Sequence, residues 1–230
     1  LNMENVQRVQ RVFPADRWPT AFPHANYIYT HNNFLKAVAK FPAFCNQTSL
    51  VGWSVDDTCR RELATMFAHW GQETGKRDPG SGEFWTQALY YVEEINKSDY
   101  TDWGWSNNAW PNQPGQQYYG RGPMQLSWNY NYGQFSNVFS TSTYNGKLEL
   151  LKSPGLVAAD GYVAMAAGLW FFMTPQDPKP SIHDVMIGNF KPNSIDLANN
   201  IKASFATTIN IINGGLECGQ PGNSQVISRG

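Results

Sequence analysis

Hydrophobic side chains recur at helical spacing along most of the chain, and strand-like alternation is short and infrequent. Residues 32–41 follow this pattern as a short amphipathic helix, with Phe34 and Val38 on one face and Pro42 ending it. Residues 156–173 are apolar on nearly every side, which predicts a single helix in the centre of the core. The pattern therefore predicts a mainly α-helical fold with few, short strands and long loops.

A longer amphipathic helix is predicted from Asp57 to about Gln72. Leu63 and Met66 belong to its apolar face, and glycines mark its fraying C-terminal end. Glu73 therefore lies at a helix C-terminus, where the helix dipole disfavours a negative charge. That position is unusual for a carboxylate, and it makes Glu73 a candidate functional residue.

The remaining segments give less regular patterns. Residues 1–26 mix charged, proline and aromatic residues and are predicted to be an extended segment docked on the domain. Residues 85–96 fit a helix and a broken strand equally well, and short helices are predicted over 181–190 and 197–214. Because no linker is visible, residues 27–230 are predicted to form one domain.

The overall charge is close to neutral, with a formal net charge of −1 at pH 7 and a pI near 6.5. Nothing in this balance favours binding to nucleic acid or to an anionic membrane surface. No apolar run approaches the roughly 18 to 20 residues of a membrane span. The polar start of the chain does not resemble a signal peptide, so we expect a cytosolic protein or a mature form from which the signal has been removed.

The three cysteines bear on the cellular compartment. A bond between Cys45 and Cys59 would close a loop of about 15 residues and contribute roughly 3 kcal/mol to stability. Cys218 is then left over, either as a free thiol or without a partner in this sequence. Three reduced thiols in a cytosolic protein are the alternative. Glycosylation sequons at Asn46 and Asn96 are compatible with secretion, and the balance favours a secreted protein.

Aromatic residues are numerous, with nine Trp and eleven Tyr, and residues 116–134 alone carry five of these beside several amide side chains. Trp and Tyr offer flat faces on which pyranose rings stack, and Asn, Gln and Ser bind sugar hydroxyls. Polar, ring-rich loops of this kind are typical of a polysaccharide-binding cleft. Cleavage of a glycosidic bond there needs two carboxyl groups, one protonated and one ionised.

Three glutamates are candidates for these carboxyl groups. Burial and the helix C-terminus would both raise the pKa of Glu73, which suits a general acid, and an ordinary surface glutamate is the alternative from this stretch alone. Glu93 and Glu94 are neighbours that cannot both face one cleft, and a solvated acidic pair is the common outcome for such a doublet. The residues by themselves do not decide between them. His69 and His183 are predicted to be structural, because carboxyl groups already supply the acid and the base.

The segment YYGRGPMQLSWNYNYG closely resembles the signature of the glycoside hydrolase family 19 chitinases, the plant-type class. Further segments are similar to parts of that family in the same order: FLKAVAKFP, AHWGQETG, GLWFFMTPQDPKPSIHDV, INIINGGLECG and SRG. The resemblance covers residues 27–229. It implies a lysozyme-like, two-lobed helical fold with a central substrate cleft, and endo-acting hydrolysis of the β-1,4 bonds between N-acetylglucosamine units of chitin.

The same resemblance implies residue roles, position by position. Glu73 corresponds to the general acid, and Glu94, with Glu93 as the fallback, corresponds to the general base. Ser127 corresponds to the serine that holds the attacking water with the base. The residues implied to contact the sugar chain are Trp110, Gln125, Tyr130, Asn131, Lys179 and Asn213, and those implied to support the carboxyl groups are Gln72, Glu217 and Arg229. The family inverts the anomeric configuration, which implies carboxyl groups about 6.5–9.5 Å apart.

The sequence departs from the family next to the implied acid. Gln72 stands where the family has histidine, and Lys76 and Arg77 stand where a further glycine is common. Either cation would lower the pKa of Glu73 if it faced the carboxyl group. Two alternatives therefore stay open: a relative that cleaves peptidoglycan, and a catalytically silent chitin-binding protein. No metal or cofactor is predicted, and we expect a secreted monomer whose partner is chitin, without nucleic-acid or membrane partners.

Overall fold

The computed structural model describes residues 2–49, 52–97, 100, 109–141 and 146–229, without the side chains of residues 140–141 and 146–147. The helices of this part of the chain are α1 (Glu4–Val12), α2 (Trp18–Ala21), α3 (His31–Val38), α4 (Val55–Thr74), α5 (Asn129–Val138), α6 (Leu156–Ala159), α7 (Gly161–Met173), α8 (Ile182–Ile187), α9 (Ser194–Ala198), α10 (Phe205–Glu217) and α11 (Ser224–Arg229). Strands β1 (Ser140–Thr141) and β2 (Gly146–Lys147) pair antiparallel. Short 3-10 helices cover Ala15–Arg17, Pro79–Ser81 and Phe84–Gln87. The prediction of a mainly helical fold with few, short strands is confirmed.

Helix α7 forms the centre of the core, and its side chains from Val163 to Trp170 are buried. The prediction of a single helix over 156–173 is wrong, because α6 and α7 are separated at Asp160. One carboxylate oxygen of Asp160 accepts hydrogen bonds from the backbone N–H groups of the second and third residues of α7 and so caps that helix. The apolar pattern continues across this cap and conceals it.

The N-terminal segment is helical, and the expectation of an extended segment is wrong. Helix α1 buries Val6 and Val9, which lie one turn apart, and it packs against α3 and α4. The guanidinium group of Arg8 donates hydrogen bonds to the carbonyl of Cys45 (2.7 Å) and to the side chain of Asn46 (2.6 Å). The apolar stripe of α1 is too short to stand out among its charged and amide neighbours, which explains the error.

Helix α4 extends slightly beyond its predicted ends. Ser54 caps its start, because the Ser54 hydroxyl oxygen accepts a hydrogen bond from the N–H group of Asp57 (3.1 Å). At the other end the hydroxyl of Thr74 donates to the carbonyl of Trp70 (2.6 Å). Glu73 therefore lies inside the last turn of α4, and its backbone is held by regular helix.

Residues 85–96 form neither a helix nor a strand over their length, although their sequence is equally consistent with both. A 3-10 turn leads into irregular chain, which makes one antiparallel bridge between Glu93 and Arg121. The N–H group of Glu94 donates to the carbonyl of Gly120 (2.8 Å). These backbone contacts bring Glu93 and Glu94 next to the aromatic segment, residues 116–134.

Residues 181–229 contain four separate helices, α8 to α11. The predicted helix over 181–190 is α8, whereas the single helix predicted over 197–214 is wrong because α9 and α10 are distinct. Asn213 has non-helical backbone angles (φ −147°, ψ 38°) and produces a kink near the end of α10. Helix α11 then packs against α4, where it meets the turn that carries Glu73.

Cys45 and Cys59 form the predicted disulfide, and Cys218 is an exposed free thiol. The sequon at Asn46 lies next to this bridge, and the sequon at Asn96 ends at Ser98, outside the described residues. Within the described ranges, no helix has the length and apolar character that crossing a membrane requires.

Candidate active site

Glu73 lies in the last turn of α4, and its carboxylate faces the C-terminal helix. Its Oε1 atom accepts a hydrogen bond from Nη2 of Arg229 (2.6 Å), and 18% of its side-chain surface is exposed. Burial raises the pKa of Glu73, and the charge of the nearby Glu217 carboxylate acts in the same direction. The charge and the hydrogen bond of Arg229 oppose this change without reversing it. The group is therefore a carboxyl that holds its proton more tightly than an exposed glutamate does.

Arg229 links this carboxyl group to a second, fully buried one. Its Nε and Nη2 atoms donate to the two carboxylate oxygens of Glu217, at 2.8 and 2.6 Å. The same Nη2 atom donates to Glu73, so the arginine is shared between carboxylates from α4 and α10. Planar, two-point pairing of this kind fixes the guanidinium group in orientation as well as in position. The structure thus joins Glu73, Glu217 and Arg229 in one network.

His69 completes the network on the remaining side of the arginine. Its Nδ1 atom lies 3.1 Å from Nη1 of Arg229, and its Nε2 atom lies 2.8 Å from the hydroxyl of Thr208 on α10. The side chain is fully buried. His69 stands one helical turn before Glu73, and that spacing is the signal in the sequence that could have connected the two residues.

The residues that depart from the family surround this network without facing the carboxyl group directly. The side-chain oxygen of Gln72 accepts a hydrogen bond from Ser228 of α11. Lys76 pairs with Asp78 (3.0 Å), and Arg77 donates to the backbone carbonyl of Gln72 (3.0 Å). The charge of Arg77 acts to lower the pKa of Glu73, but burial outweighs it and the pKa stays raised. The basic pair therefore does not cancel the effect of burial.

Glu93 and Glu94 have different surroundings. Glu93 accepts hydrogen bonds from Lys97 (2.6 Å) and Tyr119 (3.2 Å). Burial acts to raise its pKa, but the Lys97 contact, the Tyr119 hydroxyl and the charge of Arg121 outweigh burial and lower it. Glu94 accepts hydrogen bonds from neutral donors, the hydroxyl of Tyr100 (3.0 Å) and the backbone N–H of Gly120 (3.2 Å).

Ser127 lies in a segment whose backbone conformation is unusual. Gln125 and Trp128 both have positive φ angles, at 47° and 75°. The hydroxyl of Ser127 donates to the carbonyl of Gln125 (2.9 Å), and the amide of Asn131 donates to the carbonyl of Ser127 (2.9 Å). No described residue donates to Oδ1 of Asn131, although that atom is buried. A buried acceptor without a donor is costly unless a ligand or water supplies one.

The other residues implied to contact sugar are more widely placed. The ring of Trp110 lies against Gly133, where any Cβ atom would overlap it. Tyr130 lies near-parallel to Trp128, with ring centroids 6.5 Å apart. Lys179 donates to the carbonyl of Asn210 (2.7 Å), one turn before the kink of α10 at Asn213.

Most of the implied site residues fall into two groups, and Lys179 and Asn213 belong to neither. One group is the network of Glu73, Glu217 and Arg229 with the adjacent Gln72, and the other consists of Glu94, Trp110 and the segment over residues 116–134, which includes Ser127. Among the described residues, no hydrogen bond joins the two groups. Sequence reasoning missed His69 as a partner of the first group and Tyr100 as a partner of the second. Tyr100 carries no signal in the sequence that would have identified it.

Comparison with known proteins identifies the family. The model of glycoside hydrolase family 19, described as chitinase class I, matches residues 15–230. The chain belongs to this family, as the resemblance of its motifs predicted. The match begins at residue 15, so it includes part of the N-terminal segment that the motifs did not cover.

Curated relatives of this chain include proteins named endochitinase and one named as inactive. It is 40% identical over 209 residues to Endochitinase 1 of Theobroma cacao, a match that covers 89% of this chain and 60% of the relative. It is 39% identical over 207 residues to Inactive chitinase-like protein 1 of Hevea brasiliensis, covering 89% of this chain and 61% of the relative. The chain thus spans about three fifths of the length of these relatives.

Two solved chitinase structures share the fold. The class IV chitinase of Zea mays superposes with a TM-score of 0.69 at 30% identity, over 96% of this chain and 89% of that one. Chitinase C of Streptomyces griseus HUT6037 gives a TM-score of 0.68 at 30% identity, over 95% and 72%. The predicted lysozyme-like helical fold is confirmed.

Proposed function

We propose that this chain is an endo-acting, inverting chitinase that hydrolyses the β-1,4 bonds between N-acetylglucosamine units. The observation that carries the proposal is the environment of Glu73, whose carboxyl group is buried enough to hold a proton and still borders solvent. The name of the relative from Theobroma cacao, Endochitinase 1, supports the substrate class.

Glu73 acts as the general acid in this proposal. While Glu73 is protonated, Arg229 and Glu217 form a charge-balanced buried pair. When Glu73 gives its proton to the leaving oxygen, the new carboxylate is already within hydrogen-bond distance of Arg229 (2.6 Å). The arginine therefore stabilises the product of proton transfer without having to move, which is how a preorganised site lowers a barrier.

Glu94 acts as the general base rather than Glu93. A base must be ionised and must still have affinity for a proton. Glu93 faces Lys97 and Arg121, and the pKa of Glu93 is lowered. Glu94 takes its hydrogen bonds from neutral groups, Tyr100 and Gly120, and within the described ranges no ion pair joins it to a cation.

Ser127 holds the attacking water together with Glu94. Because the hydroxyl hydrogen of Ser127 is given to the carbonyl of Gln125, the hydroxyl oxygen has its lone pairs left to accept from water. A water that donates one hydrogen to Ser127 and one to Glu94 keeps its own lone pair for attack on the anomeric carbon. Attack from the face opposite to Glu73 inverts the configuration.

The N-acetyl group of the substrate fits the buried acceptor of Asn131. Its N–H group would donate to Oδ1 of Asn131 and remove an unsatisfied acceptor that costs about 1–3 kcal/mol. Further sugar contacts are assigned to Trp110, Gln125, Tyr130, Lys179 and Asn213. Chitin oligosaccharides are the proposed partner of a secreted monomer, and the disulfide between Cys45 and Cys59 supports secretion.

The test is a time course of chitin hexamer cleavage followed by NMR that resolves the two anomers. We expect new reducing ends to appear first as the α anomer. Glu94→Gln should lower the rate by about 10²- to 10⁴-fold, whereas the matched variant Glu93→Gln should retain most of the activity. Initial formation of the β anomer would contradict inversion. A larger loss of activity in Glu93→Gln than in Glu94→Gln would assign the role of general base to Glu93.

A catalytically silent chitin-binding protein is the second candidate. It is favoured by the similarity to Inactive chitinase-like protein 1 and by Gln72 at the position of the family's histidine. The same hexamer experiment separates the two functions. Binding of the hexamer without new reducing ends would establish the silent protein, and lysis of bacterial walls without chitin cleavage would point to peptidoglycan instead.

A further inference from the structure

Arg229 has one side that neither carboxylate occupies, and His69 fills it. Nη1 of Arg229 is directed at Nδ1 of His69 (3.1 Å), while Nε and Nη2 are engaged by Glu217 and Glu73. Both His69 and Arg229 are buried, with 0% and 3% of their surfaces exposed. A buried guanidinium N–H without an acceptor would be strongly unfavourable, so the position of the arginine depends on an acceptor at residue 69.

The other nitrogen of His69 determines which tautomer is present. The hydroxyl of Thr208 donates to the carbonyl of Phe205 (2.6 Å), so its oxygen accepts from Nε2 of His69 (2.8 Å). Because Arg229 can only donate, Nδ1 must be the acceptor of the ring. The ring of Phe205 stacks on the imidazole at a centroid distance of 5.2 Å and an interplanar angle of 9°, which fixes the ring plane.

We propose that His69 is a positioning residue for the reaction: its uncharged Nδ1 atom holds Nη1 of Arg229, so that Nη2 stays shared between Glu217 and Glu73. The role in catalysis rests on the proposed function of Glu73 as the acid. The geometric role, in which residue 69 sets how closely Arg229 approaches Glu73, can be tested on its own.

The absence of charge on His69 is central to this role. The charged groups that meet here are Arg229 from α11, Glu217 from α10 and Glu73 from α4 itself. Burial and the charge of Arg229 keep the pKa of His69 well below its ordinary value of 6.5. A neutral acceptor therefore binds Arg229 without weakening its attraction to the carboxylates. When Glu73 is protonated, the charges of Arg229 and Glu217 cancel and the cluster has no net charge.

Loss of the acceptor should change the proton affinity of Glu73 in a defined direction. In His69→Leu, Nη1 of Arg229 loses its acceptor, and the nearest remaining acceptors are the carboxylates. A tighter contact between Arg229 and Glu73 then stabilises the ionised form of Glu73. The pKa of Glu73 should then fall by about one pH unit. In His69→Gln, a neutral side chain that can both accept and donate remains, so the pKa of Glu73 should stay close to that of the unmodified protein.

The experiment is a titration of the Glu73 carboxyl carbon by 13C NMR in the unmodified protein, His69→Gln and His69→Leu. The expected result is a fall in His69→Leu only, with the basic limb of the pH profile for chitin cleavage moving in parallel. A titration that is unchanged in both variants, or displaced equally in both, would overturn the proposal.

A second measurement needs no substitution at residue 69, so it stands even if a variant fails to fold. In 15N spectra of the unmodified protein, the ring of His69 should be the neutral Nε2–H tautomer between about pH 5 and 8, whereas free histidine becomes an imidazolium below about pH 6.5. An Nδ1–H tautomer or an imidazolium would overturn the proposal. Both spectra are independent of turnover, so an unmodified protein that fails to cleave chitin would contradict the proposed function and not this inference.

Discussion

Glu62 and Glu73 lie about three turns apart on helix α4, and they differ in how completely the protein surrounds them. Glu62 is fully buried, and its oxygens accept hydrogen bonds from Nδ1 of His183 (2.5 Å) and from the N–H group of Cys45 (2.9 Å). Glu73 borders solvent, and only its Oε1 atom has a donor among the described residues, Arg229.

Burial raises the pKa of both glutamates, so a raised pKa does not by itself distinguish them. What distinguishes them is the oxygen atom that the protein leaves available. Both oxygens of Glu62 are used to join α4 to α8 and to the disulfide loop, which makes it a structural group. One oxygen of Glu73 remains for a reacting molecule. Buried carboxyl groups become candidates for catalysis when their hydrogen bonding is incomplete.

The largest expected effect comes from the same substitution at both positions. Glu73→Gln should lower kcat on chitin oligomers by about 10²- to 10⁴-fold, because the amide cannot donate a proton to the leaving oxygen. Glu62→Gln should leave most of the activity intact in the folded protein. Rates are measured from new reducing ends, and circular dichroism checks the fold. Equal losses in the two variants would remove the distinction between the two sites.

Stability should show the reverse order. Glu62→Ala should lower the free energy of unfolding by about 3–5 kcal/mol, because His183 and the Cys45 N–H group are left buried without their acceptor. Glu73→Ala should cost clearly less, since solvent already reaches that side chain. Urea titrations of both variants provide the measurement. Adding His183→Ala to Glu62→Ala should cost little more, whereas full additivity would mean that the pair is not coupled.

Removal of the disulfide tests the end of α4 that carries Glu62, because the backbone N–H group of Cys45 donates to Glu62. Cys45→Ser with Cys59→Ser should lower stability by about 3 kcal/mol, because the cross-link no longer restricts the unfolded chain. Turnover per folded molecule should be retained, since the bridge lies at the Glu62 end of the helix. Cys218→Ser is the matched control and should change neither property. A loss of turnover in a variant with an unchanged fold would mean that the disulfide end of α4 affects the surroundings of Glu73.

The smallest expected effect is the pH dependence of stability in Glu73→Gln. Because burial raises the pKa of Glu73 above its ordinary value of 4.5, its contribution to stability is complete below that pH and is lost as pH rises through the raised pKa. The amide does not ionise, so the variant should gain stability relative to the unmodified protein as pH rises, on the order of 1 kcal/mol. Thermal melts from pH 4 to 7.5 measure this difference. A difference that shrinks with rising pH would show that the pKa of Glu73 is lowered.

Local patterns in the sequence predicted much of this molecule. The apolar spacing of α3 and α4, the pairing of Cys45 with Cys59, and the position of Glu73 near a helix end all depend on residues close together in the chain. The break at Asp160 was missed because a single capping residue interrupts an otherwise continuous apolar run. Helix α1 was missed because its stripe is short.

The surroundings of the candidate site were less predictable, because they depend on contacts between distant segments. The resemblance implied a supporting role for Arg229, but no periodicity places it against Glu73. His69 is predicted to be structural because carboxyl groups supply the acid and the base, and nothing in the sequence indicates that an arginine meets its Nδ1 atom. Tyr100 contacts Glu94 without belonging to a helix or strand, so spacing rules give no direction for it.

Arg229 follows Glu73 by 156 residues and is carried by a helix that comes after the exposed turn over residues 218–222. A ribosome therefore completes both candidate carboxyl groups long before it adds the arginine that tunes one of them. Until α11 has been synthesised and has docked, the nascent chain holds a glutamate at position 73 without its counter-ion. The ion pair between Glu73 and Arg229 can thus form only after residues 74–229 have been synthesised.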